Sequence, residues 1–441
     1  MKNEPTLKTR REFLRATVLG GALSWTVPAF LARTFWALEA RAADQATQPV
    51  TGHDASILVV LQMAGGNDGL NTVVPFTNDH YRRARPKLGL SETEVLKLTD
   101  DVALHPSLTG FQELHQAGRL AIVQGVGYPN PNRSHFRSTE IWQTAADAKA
   151  FERYGWLGRY FDNACAGCEP TVGVSIGRQM PQAFAAKGPG GVALDSPQNF
   201  RYLPPGGGRP DEARQTEASF RKLNEEEMAE NSGGTIGAIG GAMPRAGSAL
   251  DFLERTAMEA QVSSDTIRAI AGRGENRATY PASQLGNSLK LVGKLIGGGM
   301  ATRVFYVSQG GYDTHTNQLA AQNRLLKDLG DSVKAFVQDL ERQGNLPRVL
   351  LMTFSEFGRR VAENASGGTD HGAAAPMFLA GGRVKAGLAG RYPSLAPADL
   401  FQGDLSYTVD FRAVYATVLE QWLKIPSQPI LGRKFPVLPL I

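Results

Sequence analysis

VLLMTFSEFGRRVAENASGGTDHG, residues Val349–Gly372, joins a buried strand to a turn rich in reactive side chains. Its first four residues, Val349-Leu350-Leu351-Met352, form a short apolar run of the kind covered on both faces in a parallel sheet. Ser355 and Glu356 follow directly, and Asp370-His371 come after a Gly-containing turn. Open α/β sheets carry their binding groups at the carboxyl ends of their strands. The same order recurs along the chain. Ala55–Met63 (ASILVVLQM) runs into Ala64-Gly65-Gly66-Asn67-Asp68-Gly69, and Arg303–Val307 (RVFYV) precedes Gly310-Gly311-Tyr312-Asp313-Thr314-His315. Leu120–Gly125 (LAIVQG) leads through Val126–Pro131 to Asn132-Arg133-Ser134-His135, which opens a helix through Trp142.

Between these strands lie stretches of helical spacing: His105–Gly118, Trp156–Ala164, Ala249–Gly272, Ser283–Ile296, Ala320–Gln343 and Asp410–Trp422. Pro376–Ala380 (PMFLA) reads as a further strand, and Val172–Leu203 as shorter strands and turns. Strand, polar Gly turn and helix in repeated order predict an α/β fold, a mostly parallel sheet sandwiched by helices. The breaker PPGGGRP (Pro204–Pro210), the charged segment Asp211–Asn231 and the Gly/Ala-rich Ser232–Ser248 mark 204–280 as a helical insertion or cap. The rest of 43–441 is expected to form one domain around it, with no internal repeat.

The chain has 441 residues, 42% of them apolar, with 49 Gly and 25 Pro, enough for a sizeable core with many turns. Formal net charge is +5, from 47 Lys/Arg and 42 Asp/Glu. Seven of those bases and only three of the acids fall in residues 1–42, so the remainder is close to neutral. That balance excludes the basic footprint of a nucleic-acid-binding protein. The leader itself is readable. Thr9-Arg10-Arg11-Glu12-Phe13-Leu14-Arg15 is a twin-arginine pattern, Ala16–Phe30 a mildly apolar stretch, and Ala40-Arg41-Ala42 a small-x-small cleavage site. Residues 1–42 therefore resemble a twin-arginine export signal, which implies a periplasmic or otherwise exported protein. No later stretch is apolar enough to predict a membrane span in the mature chain. Two cysteines, Cys165 and Cys168, suit a local disulfide in an oxidising compartment, and a zinc ribbon would need a second pair.

The polar turns carry the chemistry. Asp68 can hold a cation where glycines let the backbone approach. Ser134 and His135 open a helix, whose free N–H groups favour an anion. A metal that lowers its pKa makes the Ser134 hydroxyl a nucleophile, with Arg133 and Arg137 available to an ester's oxyanion. Asp313 and His315, two apart in extended backbone, point the same way and suit one metal. Glu356, Asp370 and His371 complete the candidates. Taken singly, these turns also read as Asx turns, a plain helix cap with a surface His135, or solvated loops. His53, His80, His105 and His115 read as ordinary turn or helix residues.

Five stretches carry a closer likeness: Val60–Pro75, Asn132–Trp142, Gly310–Gln318, Thr353–Gly372 and Gly403–Leu423. On these the chain resembles the exported bacterial family called domain of unknown function 1501, itself similar to the alkaline-phosphatase-like and sulfatase-like superfamily. The resemblance implies an alkaline-phosphatase-like sheet between helices and a two-metal site with a hydroxyl nucleophile. By that likeness Ser134 is the nucleophile and Asp68, Asp313, His315, Glu356 and His371 are ligands, with Asp370 a further candidate. Two departures stand out: Asp-x-His replaces the superfamily's wider spacing, and Phe357 stands where a second metal's histidine would be. The expectation is a metal-dependent hydrolase of a small phosphate or sulfate ester. Its divalent ion would be zinc or manganese by the mixed N/O ligands, with calcium or magnesium open to an oxygen-rich subset. The alternative is a non-catalytic exported binding or assembly protein, for which the resemblance implies a second exported family of unknown function as partner. A redox role for Cys165 and Cys168 is a third reading.

Overall fold

The computed structural model describes residues 55–165, 168–188, 190–197 and 263–441. The leader (1–42) and most of the 204–280 insertion lie outside the described residues. The chain divides into two compact units. One comprises Met1–Asp44 and Pro197–Arg268, nearly all of it undescribed. The other, Gln45–Ser196 with Ala269–Ile441, holds every element discussed below.

Twelve strands among the described residues order this unit. β1 (Ile57–Met63) is buried along its whole length. β2 (Val73–Val74), β3 (Leu96–Lys97) and β4 (Ala103–Leu104) make a separate small antiparallel sheet. The main sheet adds β5 (Leu120–Gly127), β6 (Gly173–Ile176), β7 (Val192–Leu194), β8 (Val304–Gln309), β9 (Val349–Phe354), β10 (Ala375–Gly381), β11 (Gly387–Ala389) and β12 (Val409–Asp410). Its order is β11-β5-β10-β9-β1-β8-β6-β7, with β12 also on β5. All pairings are parallel except the two made by β10. The architecture is thus a mixed, mostly parallel central sheet flanked by helices.

The reversed β10 follows from its connection. A parallel successor to β9 needs a crossover to the sheet's other end. Segment 355–374 makes none; it stays at the carboxyl end of β9 and turns back into β10. Glu356, Arg359, Asp370 and His371 are therefore kept where β1 and β8 also end.

Helices α1 (Asp79–Ala84), α2 (Thr109–Gln116), α3 (His135–Thr144), α4 (Trp156–Ala164), α5 (Gln284–Gly297), α6 (Gln318–Gln343) and α7 (Phe411–Thr417) surround the sheets. On one sheet face, Leu58, Val60, Tyr306, Met352 and Met377 pack with side chains of α3, α4 and α7. Trp142 stacks on Phe411 with ring centroids 4.4 Å apart, and Trp156 on Tyr415 at 4.3 Å. Alternate residues serve the other face, where Phe378 of β10 meets Phe111 of α2 edge-on at 4.9 Å. Burying each such side chain contributes roughly 1.5–3 kcal/mol, so the faces hold the strand ends in fixed relation. No helix among the described residues is long and apolar enough to cross a membrane. Cys165, at the end of α4, is joined to Cys168 by a disulfide.

His105, just past β4, is 1% exposed and accepts the Ser107 N–H at Nδ1 (3.0 Å). Burial pushes its pKa down from 6.5 to about 4. Between those values the unfolded chain binds a proton that the folded chain refuses. This contribution is therefore complete above pH 6.5 and lost as pH falls toward 4. His105→Gln is expected to flatten the acid side of the stability curve relative to the parent by about 2 kcal/mol at pH 5. Paired urea titrations at pH 7 and pH 5 measure it.

Candidate metal centre

Three strand ends and one helix start build the site. Past β1, Gly65 and Gly66 take positive φ values of +120° and +79°. A Cβ on Gly65 would lie 2.5 Å from the Asp313 nitrogen, and one on Gly66 2.3 Å from the Phe357 ring. Only glycine lets these loops close on one another. Arg359, 1% exposed, ties them together. Its guanidinium donates to the carbonyls of Gly66 (2.6 Å), Thr369 (2.8 Å), Tyr312 (2.9 Å) and Gly65, and to Asp313 Oδ1 (2.7 Å). One side chain thereby joins the ends of β1 and β8 to the turn before β10.

Three histidines gather around Asp313. His315 Nε2 and His371 Nε2 each lie 3.1 Å from Asp313 Oδ1, and His135 Nε2 lies 3.4 Å from Oδ2. The two nitrogens of His315 and His371 are 3.0 Å apart. Each imidazole is anchored through its other nitrogen: His135 Nδ1 on Glu356 Oε1 (2.9 Å), His315 Nδ1 on Asp370 Oδ1 (3.0 Å), His371 Nδ1 on the Arg133 carbonyl (2.8 Å). Glu356 Oε1 also accepts the Gly65 N–H at 2.8 Å. All three anchors are acceptors, so each Nδ1 faces outward as a donor and each Nε2 is turned toward Asp313. Three Nε2 atoms and a carboxylate so gathered are a candidate ligand set for a cation.

The donors fit one. His135, Asp313 and His371 offer ligand atoms within 4.8 Å of one another, and His315 adjoins them through Asp313 and His371. Tetrahedral zinc with bonds of about 2.0–2.1 Å separates its donors by about 3.3–3.4 Å, close to the spacings here. Nδ1–H bonds to carboxylates and a carbonyl are the outer support such ligands need. Burial disfavours the Asp313 carboxylate, but hydrogen bonds from Arg359 and His371 and the Arg359 charge bring its pKa down to about 2. His315 and Asn364 likewise hold Asp370 below its usual range.

A family model described as "Protein of unknown function (DUF1501)" matches residues 55–432. The chain belongs to that family. A search of curated proteins finds no match. Among solved structures, it is similar to a protein in the alkaline phosphatase superfamily from Vibrio parahaemolyticus (TM-score 0.34, 9% identity, covering 92% of this chain and 78% of that one). It is similar also to the lipoteichoic acid synthase LtaP from Listeria monocytogenes (TM-score 0.34, 8% identity, 90% and 81% covered). A third is the C-terminal periplasmic domain of EcEptC from Escherichia coli, solved in complex with Zn (TM-score 0.35, 10% identity, 77% and 78% covered).

In this DUF1501 chain, Asp313, His315, His371, Glu356 and Asp370 come together, the first three around the centre and the two acids behind histidines. Asp68 is placed elsewhere. It is 2% exposed, and its Oδ2 is taken by Arg85, the residue closing α1, and by Gln318 of α6. An internal guanidinium thus occupies the place of the cation expected beside it. Arg133 also has a partner not foreseen: Nε and Nη2 donate to Asp404 Oδ2 at 2.8 and 2.6 Å. Ser134 is exposed and precedes α3, but its hydroxyl does not cap the helix. Phe357 packs against His135 and His371, with centroids at 4.9 and 4.5 Å.

His135 and Arg359 were not among the candidates from sequence. The Asn-Arg-Ser-His run at a helix start did signal His135. A lone histidine there also reads as surface, and nothing nearby in sequence reveals Glu356 at its Nδ1. Ser138, one turn on, fixes the arrangement by donating to the Glu356 carbonyl while bonded to the Tyr128 hydroxyl at 2.8 Å.

Proposed function

We propose that the chain is an exported, metal-dependent hydrolase of a phosphate or sulfate ester. The observation that carries this reading is the inward convergence of three imidazole Nε2 atoms on Asp313, each ring anchored behind by an acceptor. Bound there, zinc or manganese would supply Lewis acidity toward an ester oxygen and a developing alkoxide. His135, Asp313, His315 and His371 would hold it, with Glu356 and Asp370 orienting two of the rings. One ion per chain is the stoichiometry this donor set favours, since Asp68 is committed to Arg85 and Phe357 adds an apolar wall.

Ser134 is the nucleophile of this reading. Its hydroxyl is free of a capping role, exposed, and one residue from His135 at the start of α3. The helix N-terminus favours the charge that attack creates. Export rests on the twin-arginine leader, and the Cys165–Cys168 disulfide suits an oxidising compartment. Elemental analysis of the purified protein is expected to find about one zinc or manganese per chain, and Ser134→Ala to lower phosphatase or sulfatase turnover by at least ~10³-fold. Unchanged turnover would remove Ser134 from the mechanism. A protein that takes up no ion and shows no thermal shift with zinc, manganese or calcium would leave the non-catalytic binding role.

A further inference from the structure

We propose that Arg360 is the guanidinium that grips the anionic group of the ester, an assignment that rests on the hydrolase reading above. A closed circuit of contacts joins this residue to the centre. His371 Nδ1 donates to the Arg133 carbonyl, and the Arg133 side chain donates to Asp404 Oδ2. Arg360 Nε lies 3.9 Å from Asp404 Oδ1. The Arg360 N–H then donates to the Asp370 carbonyl at 3.0 Å, and Asp370 Oδ1 takes His315 Nδ1. His315 and His371 close the ring through their Nε2 atoms, 3.0 Å apart.

The arginines around this ring differ in what they have left to offer. Arg359 is spent on five acceptors. Arg85 is buried on Asp68 and three further acceptors. Arg133 puts two nitrogens on one carboxylate oxygen. The Arg360 guanidinium makes no hydrogen bond among the described residues, and its side chain is 40% exposed. Asp404 pairs with it only through charge: the carboxylate is buried, and its Oδ1 lies 3.9 Å from Nε with no hydrogen bond, leaving the N–H groups of Arg360 unspent. Charge points the same way. Asp313, Glu356, Asp370 and Asp404 outnumber Arg133, Arg359 and Arg360 by one, a deficit that a divalent ion turns into a surplus. A tetrahedral oxyanion matches that surplus and the planar fork of an arginine whose N–H groups are unspent.

Inorganic phosphate and sulfate titrated calorimetrically into the metal-loaded protein test the assignment, with metal content measured on every variant. Arg360→Met is expected to weaken oxyanion binding by ~10- to 100-fold. Arg360→Lys should recover part of the loss, since it restores charge without the fork. Arg178→Met, at an exposed arginine paired with Asp195, should leave affinity unchanged. Equal affinity in wild type and Arg360→Met would overturn the assignment and leave the hydrolase reading standing, as would an equal loss in Arg178→Met. A protein that takes up neither zinc nor manganese would overturn both.

Discussion

Replacing Arg359 with methionine is expected to lower folding stability by about 3–5 kcal/mol. The side chain is buried, and its bonds run to four backbone carbonyls and the Asp313 carboxylate. Methionine fills much of the volume and offers no donor. The carbonyls of Gly65, Gly66, Tyr312 and Thr369 would then lie in a closed region without partners, at about 1–3 kcal/mol for each left unsatisfied. Relaxation and water entry return part of that, which brings the sum to the range of a broken buried ion pair. Lysine keeps the charge but cannot reach all five acceptors, so Arg359→Lys should recover less than half of the loss. Equilibrium urea unfolding gives the number. A loss below about 1 kcal/mol would mean that the loops hold together without the arginine.

Asp313→Asn is expected to do the reverse: cost the fold little and, on the metal reading, weaken ion binding strongly. The amide keeps the shape of the carboxylate and still accepts from Arg359 through Oδ1. The amide loses the charge that Arg359 stabilises, so apo stability should fall modestly. Metal affinity should fall by more than the roughly 10- to 100-fold that loss of an outer-shell partner costs, because the anion central to the donors is gone. Asp370→Asn, behind His315, provides the outer-shell reference and should stay within that range. Competition titrations with a zinc chelator measure both. Equal losses in the two variants would place Asp313 outside the ligand set.

Much of this fold was legible because its strands announce themselves. The reading of Arg303–Val307 became β8 (Val304–Gln309), the Val349 run became β9, and Pro376–Ala380 became β10 (Ala375–Gly381). Boundaries slipped where apolar spacing stops before the hydrogen bonding does, as at Thr353 and Phe354. The last helix, read as Asp410–Trp422, is α-helical over Phe411–Thr417 and loosens into a π turn over Val418–Trp422. Composition alone cannot distinguish those windings. The antiparallel direction of β10 was also hidden, since it depends on the absence of a helix in 355–374.

The candidate site divides along the same line. Side chains on strand-end turns could be picked out because Gly-Gly, Asp and His stand together after apolar runs. Partnerships could not. Asp68 looks like every other strand-end acid until α1 brings Arg85 to it from outside the turn. His135 looks like a helix-cap neighbour until Glu356 arrives from another strand. Arg359 carries no sequence signature at all; its role lies in the carbonyls it reaches.

The inward-facing donors belong to segments scattered from the start of α3 to the turn before β10. A disordered coil offers an ion nothing comparable, so capture would reward only the finished architecture. On the metal reading, free cation at one hundred times its dissociation constant would add about 2.7 kcal/mol to the native state. Heat tolerance then becomes partly a property of the surrounding medium, rising and falling with its mineral supply.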